Sequence, residues 1–155
     1  MVIEKADDKV RVLFEEVRDK TSIPHWVEFE VLSSDKQREL YKIIKLSDVV
    51  EILTEGLNFA VVLNESIFTE LPVDMQIMAL DECLAGVSVN ENDVVSLVKP
   101  NFNTHTGVLQ KYGHNPIITL HESIKSLYDV KKQKEEEEKT AGKGKRKKKG
   151  VTQDR

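Results

Sequence analysis

The chain has very little cysteine: Cys83 is the only one, so no internal disulfide can form and a disulfide-stapled secreted scaffold is excluded. Long hydrophobic runs are missing as well. The longest, Phe59-Ala60-Val61-Val62-Leu63, falls far short of the ~20 residues that a membrane-spanning helix needs, which argues against a membrane role. The first twenty residues are charged throughout and lack the apolar core of a secretory signal, so a cytoplasmic protein is expected, in the host cytoplasm if the chain is phage-encoded. Aromatics are sparse, with one Trp, three Tyr and five Phe, yet an apolar fraction of 39% in 155 residues suffices for one modest core.

What is abundant is charge, unevenly spread. Residues 131–155 hold 11 Lys/Arg against 5 Asp/Glu, whereas residues 1–130 hold 12 against 22, an acidic body followed by a basic tail. An acidic body is a poor general binder of nucleic acid, because phosphate contacts need clustered cations. Any nucleic-acid contact is therefore expected from the tail, through Lys143, Lys145, Arg146, Lys147, Lys148 and Lys149. No aromatic residue interleaves that cluster, so base stacking on it is not expected. With one Val and one Ala as its only apolar residues, segment 131–155 cannot offset its ordering entropy and reads as disordered, its Lys/Glu block extending the preceding helix by a turn or two. Two regions follow: an α+β domain over 1–130 and a disordered Lys/Glu-rich tail over 131–155.

Within the domain, Val10, Leu13, Phe14 and Val17 recur at i, i+3, i+4 and i+7 and predict an amphipathic helix over Ala6–Lys20. Alternation in Trp26–Leu32 predicts a half-buried strand, and the valine-rich run Leu57–Asn64 predicts an internal strand covered on both faces. Lys36–Lys45 is ambiguous, with Lys42–Leu46 readable as strand or helix, and Ser47-Asp48 opens a short segment to Thr54. Val87–Val89 and Val94–Val98 flank a turn and suggest a hairpin, and two further helices are expected over Phe102–Tyr112, ended by Gly113, and Ile117–Tyr128.

The chain is organised around Val73–Gly86, a helix entered through Pro72 and closed by a glycine suited to a left-handed cap. Its apolar residues spread around most of its circumference, yet Asp81 and Glu82 sit mid-helix, where a desolvated carboxylate is costly unless paired. One reading sends one acid to solvent and pairs the other with a backbone amide or a Lys/Arg. The other leaves Glu82 in a shallow cleft.

From about Val27 to Gly113 the chain resembles the phage metallopeptidase-like domain family, a zincin-type fold. The matching stretches are the strand Leu57–Asn64, the connector Ile67–Leu71, the helix Met78-Ala79-Leu80-Asp81-Glu82-Cys83-Leu84-Ala85, Val98-Lys99-Pro100-Asn101, and Leu109-Gln110-Lys111-Tyr112-Gly113. The resemblance implies a small mixed sheet packed against a central helix that carries H-E-x-x-H, two histidines one turn apart on one metal with the intervening Glu as general base. Here those positions read Asp81, Glu82 and Ala85, and Asn101 stands where relatives carry an acid after Lys-Pro. The base is kept and the ligands are lost, so the resemblance implies a degenerate site with no catalytic residue, no metal and no cofactor.

His105, His114 and His121 are scattered in sequence and read as surface polar residues, and Cys83 as a buried structural thiol. The expected function is a catalytically inactive metallopeptidase-like phage protein that acts by binding a host or phage protein. The alternatives are a metal-dependent hydrolase with displaced ligands, which would hold zinc, and a nucleic-acid-associated protein that uses its basic tail.

Overall fold

A computed structural model describes residues 3–100 and 104–153, with side chains described through residue 140. The short strand β1 (Glu4–Lys5) leads into helix α1 (Asp8–Asp19), which buries Val10, Phe14 and Val17 as its periodicity requires. Arg18, at the end of α1, is also buried. Its guanidinium donates to the carbonyls of Pro24, His25 and Val27 at 3.0, 3.2 and 2.6 Å, so a desolvated cation pins the loop that enters strand β2 (Glu28–Ser33).

The ambiguous stretch before residue 46 resolves as strand β3 (Tyr41–Lys45), after which Ser47 caps helix α2 (Asp48–Leu53) by accepting from the Val50 amide. Strand β4 (Leu57–Leu63) is buried over its last six residues. The reason is its position: it lies between β2, to which it is parallel, and β3, to which it is antiparallel, in a mixed sheet of order β1-β2-β4-β3. Asn64 ends β4 and caps helix α3 (Glu65–Phe68). Fully buried, it accepts from the Ile67 amide and donates to the carbonyls of Asp35 and Gln37, which satisfies its amide completely.

Helix α4 (Val73–Leu84) packs against α1, β3, α5 (Thr106–Tyr112) and α6 (His114–Gln153). Met78, Ala79, Leu80, Glu82, Cys83 and Leu84 are all buried, so the second half of the helix has almost no solvent face. The main core gathers Phe14 and Val17 of α1, Val61 and Leu63 of β4, the buried row of α4, and Ile117 and Leu120 of α6. A smaller cluster of Val27, Phe59 and Val95 lies under the hairpin of β5 (Val87–Val89) and β6 (Val95–Leu97). The Asn90 side chain organises that turn by accepting from the amides of Asn92 and Val94. The architecture is α+β, a small mixed sheet packed against a central helix.

Two expectations need correction. Gly86 does not close α4 through a left-handed conformation: Ala85 keeps right-handed geometry, and a Cβ on Gly86 would sit 3.4 Å from both His105 Nε2 and the Val98 carbonyl. Its glycine character serves close approach. The positive-φ helix end belongs to Gly113, at φ 84° and ψ 172°, which closes α5 in a region open essentially only to glycine. Second, the last helix, expected from Ile117, begins at His114; α6 runs from there to Gln153. Lys131, Lys132 and Lys134 stand one turn before Glu135, Glu136 and Glu138, a spacing that favours helix. Lys131 still donates to the Asp35 carbonyl, and from Lys132 to Thr140 every residue is exposed, so this part of the helix adds nothing to the core. No helix among the described residues is long and apolar enough to cross a membrane.

Candidate functional site

Strand alternation places Tyr41 and Ile43 on one side of β3, facing α4, while the end of α4 brings Glu82 and Cys83, and just beyond it Gly86, to the same space. Helix α6 contributes His121 and Ile124, and the residues before α5 contribute His105. Together they wall a cleft of about 700 Å³ beside the sheet edge, with Val98 and Pro100 also in its lining and the exposed Arg38 and Lys125 at its mouth.

Glu82 is the chemical centre of this cleft. Its side chain is 7% exposed, and both oxygens are engaged: Tyr41 OH donates to Oε1 at 2.8 Å, and His121 Nε2 lies 2.8 Å from Oε2. Burial by itself would push the carboxyl up. The hydrogen bonds from His121 and Tyr41 and the His121 charge outweigh that and hold it below the ordinary carboxylate value. The buried Thr104 hydroxyl lies beside the carboxylate and adds to the effect without reaching hydrogen-bond geometry.

The neighbours respond in kind. The hydrogen bond to Glu82 raises His121, against the effect of burial, whereas burial lowers His105 despite the attraction of Glu82. Tyr41 is pushed far up by burial and by the Glu82 charge, so it stays a neutral donor. Burial also raises the Cys83 thiol, which is 1% exposed, and that leaves it a protonated packing group.

Asp81 points elsewhere. Lys111 Nζ donates to its Oδ2 at 2.8 Å, and Tyr112 OH donates to the same oxygen, so the Lys-Tyr-Gly end of α5 is a clamp on the central helix. The ammonium of Lys111 is raised mainly by this hydrogen bond. Ala85 is exposed at the helix end. Neither Asp81 nor Ala85 lines the cleft that Glu82 enters. Asn101 lies outside the described residues, and for Lys143, Lys145, Arg146, Lys147, Lys148 and Lys149 only the helical backbone is described.

These donors do not fit a hydrolytic zinc site. Asp81 is spent on Lys111 and Tyr112, Ala85 offers no ligand atom, and Glu82 and His121 bond to each other. Among the described residues no three of His, Cys, Asp and Glu converge as a metal-binding set.

The reading of one acid to solvent and one to a Lys/Arg is half right. Asp81 takes the lysine, but Glu82 takes a histidine and a tyrosine in a cleft. His121, expected at the surface, is the residue that sequence reasoning missed. The signal was present: Ile117, Leu120, Ile124 and Tyr128 form an apolar stripe at helical spacing, and His121 falls inside it, where a polar residue needs a partner. His114 is exposed as expected. No family model, curated protein or solved structure matches this chain.

Proposed function

We propose that the chain is a metallopeptidase-like scaffold that binds an extended segment of a partner protein in the cleft beside β3 without cleaving it. The observation that carries this reading is an unpaired strand edge next to the cleft. Leu40 O accepts from Asn64 N and Leu46 N donates to Asn58 O, so at both ends of the ladder the even-numbered residues face β4. By the alternation of antiparallel pairing, the backbone N–H and C=O groups of Tyr41, Ile43 and Lys45 point outward. Among the described residues no strand covers them. An extended peptide can add there as a further strand, with its alternate side chains entering the cleft.

Glu82 supports binding over hydrolysis. A carboxylate that already accepts from Tyr41 and His121, and is held below its ordinary value by them, is a weaker base toward a metal-bound water. By the family resemblance the protein is phage-encoded and its partner is a host or phage protein. The alternative of a hydrolase with displaced ligands draws nothing from the donor geometry. Association with nucleic acid has one supporting observation: Lys36, Arg38, Lys131, Lys132 and Lys139 line a groove where α6 leaves the body toward the basic segment. Asp35, Glu135 and Glu138 line the same groove and weaken it.

Amide exchange tests the strand-addition reading. Peptides captured by the full chain from a random pool should slow exchange at Tyr41, Ile43 and Lys45. Exchange left unchanged at all three by a saturating peptide would overturn it.

A further inference from the structure

We infer that the cleft takes an apolar group that carries a carboxylate, whether the C-terminal residue of a polypeptide or a free small organic acid. This rests on the reading that the cleft is the binding site, and it adds what the occupant must look like.

Shape and lining come first. A space of about 700 Å³ accommodates one or two large side chains or a small organic molecule. Its lining is mostly apolar, with Ile43 from the sheet, Val98 from beyond the hairpin and Ile124 from α6. An occupant without an apolar body would leave that lining wet.

The polar groups then select the sign of charge. Glu82 is the deepest acid, and each of its oxygens already has a partner, Tyr41 on one and His121 on the other, which weakens its pull on a ligand ammonium. What remains is rich in donors. Arg38 and Lys125 are exposed at the mouth, and among the described residues neither belongs to an ion pair. His121 spends Nε2 on Glu82 and keeps its other ring nitrogen, and the His105 ring lies against Gly86 in the same lining. Glu39 is the remaining acid of the lining and is exposed to solvent. A carboxylate at the mouth with its apolar group directed inward satisfies both halves of this arrangement. Charge-assisted hydrogen bonds from a guanidinium and an ammonium are the strong kind.

An internal peptide segment has no such charge, so the carboxylate separates this inference from strand addition alone. The experiment is calorimetric titration of the full chain with N-acetyl-leucyl-phenylalanine, with its C-terminal amide, and with octanoate. The free acid should bind about tenfold or more tightly than the amide, the range of one or two charged hydrogen bonds. The exposed pair Arg38→Glu and Lys125→Glu should bring the acid down to the level of the amide. Octanoate binding in competition with the dipeptide acid would support the inference and name small acids as a source. Binding of the dipeptide acid alone would support it and name a polypeptide terminus. Equal affinity for acid and amide, or no binding of either, would overturn the inference. The strand-addition reading would then still stand or fall on the exchange at Tyr41, Ile43 and Lys45.

Discussion

His121 Nε2 of α6 and Glu82 Oε2 of α4 lie 2.8 Å apart across 39 residues of sequence, and this contact ties the last helix to the central one. Because the Glu82 side chain is only 7% exposed, removing its partner leaves a buried charge with Tyr41 as its one remaining hydrogen-bond donor among the described residues. The substitution His121→Leu should therefore cost about 2–3 kcal/mol, measured by urea denaturation. In a double-mutant cycle with Glu82→Gln the two costs should fall short of additive by about 1 kcal/mol or more. Additive costs would mean that the pair is not coupled.

The same pair sets a pH window. His121 is raised in the folded state above its ordinary value of 6.5, so its contribution is full below pH 6.5 and fades as pH climbs through the folded value. Glu82 is lowered beneath its ordinary 4.5, so its contribution is full above 4.5 and fades as pH falls through the folded value. The stability difference between the natural chain and the His121→Gln variant should be largest between those two limits and shrink on the alkaline side. His105, lowered by burial, acts in the opposite sense below pH 6.5 in both proteins and cancels in the difference. Thermal melts across pH 4–9 would show this, and a flat difference would contradict it.

The Asp81 clamp makes an unequal prediction for adjacent residues. Tyr112→Phe removes a half-buried hydrogen bond to a carboxylate that is 10% exposed and should cost about 1–2 kcal/mol. Lys111→Ala removes an ion pair whose lysine side chain is 57% exposed and should cost less than about 1 kcal/mol. Urea midpoints of the two variants would decide the order.

Gly113 closes α5 at φ 84°, and among the described residues nothing comes nearer than 4.0 Å to an added Cβ, so Gly113→Ala tests backbone strain. It should destabilise by about 1 kcal/mol. Gly107, inside α5 and with no atom of the described residues within 4 Å of an added Cβ, should gain stability on the same change, by up to about 1 kcal/mol. The opposite order in thermal melts would remove the positive-φ helix end from the account.

Much of the framework is legible in sequence because burial and periodicity coincide. Val10, Phe14 and Val17 mark α1, the unbroken run from Phe59 to Leu63 marks a strand covered on both faces, and Pro72 marks the entry to α4. β3 was ambiguous because an edge strand of five residues carries too short a pattern to separate the two periods. The site was less legible, for a different reason. Asp81 and Glu82 announce that something must pair with them, but their partners Lys111, Tyr112, His121 and Tyr41 lie 30, 31, 39 and 41 residues away. No local spacing encodes such contacts. Of the four, His121 alone betrays itself, as a polar residue inside an apolar stripe.

The claim that the cleft binds and does not cut is tested most directly by mass spectrometry of the bound occupant. The full chain, supplied with zinc and a random peptide pool, is held for a day, and the peptides retained on it are released and weighed. Binding without hydrolysis predicts intact masses for every retained peptide, identical in the Glu82→Gln variant. New fragments that accumulate with the natural chain and vanish with Glu82→Gln would contradict the account and restore Glu82 as a working general base.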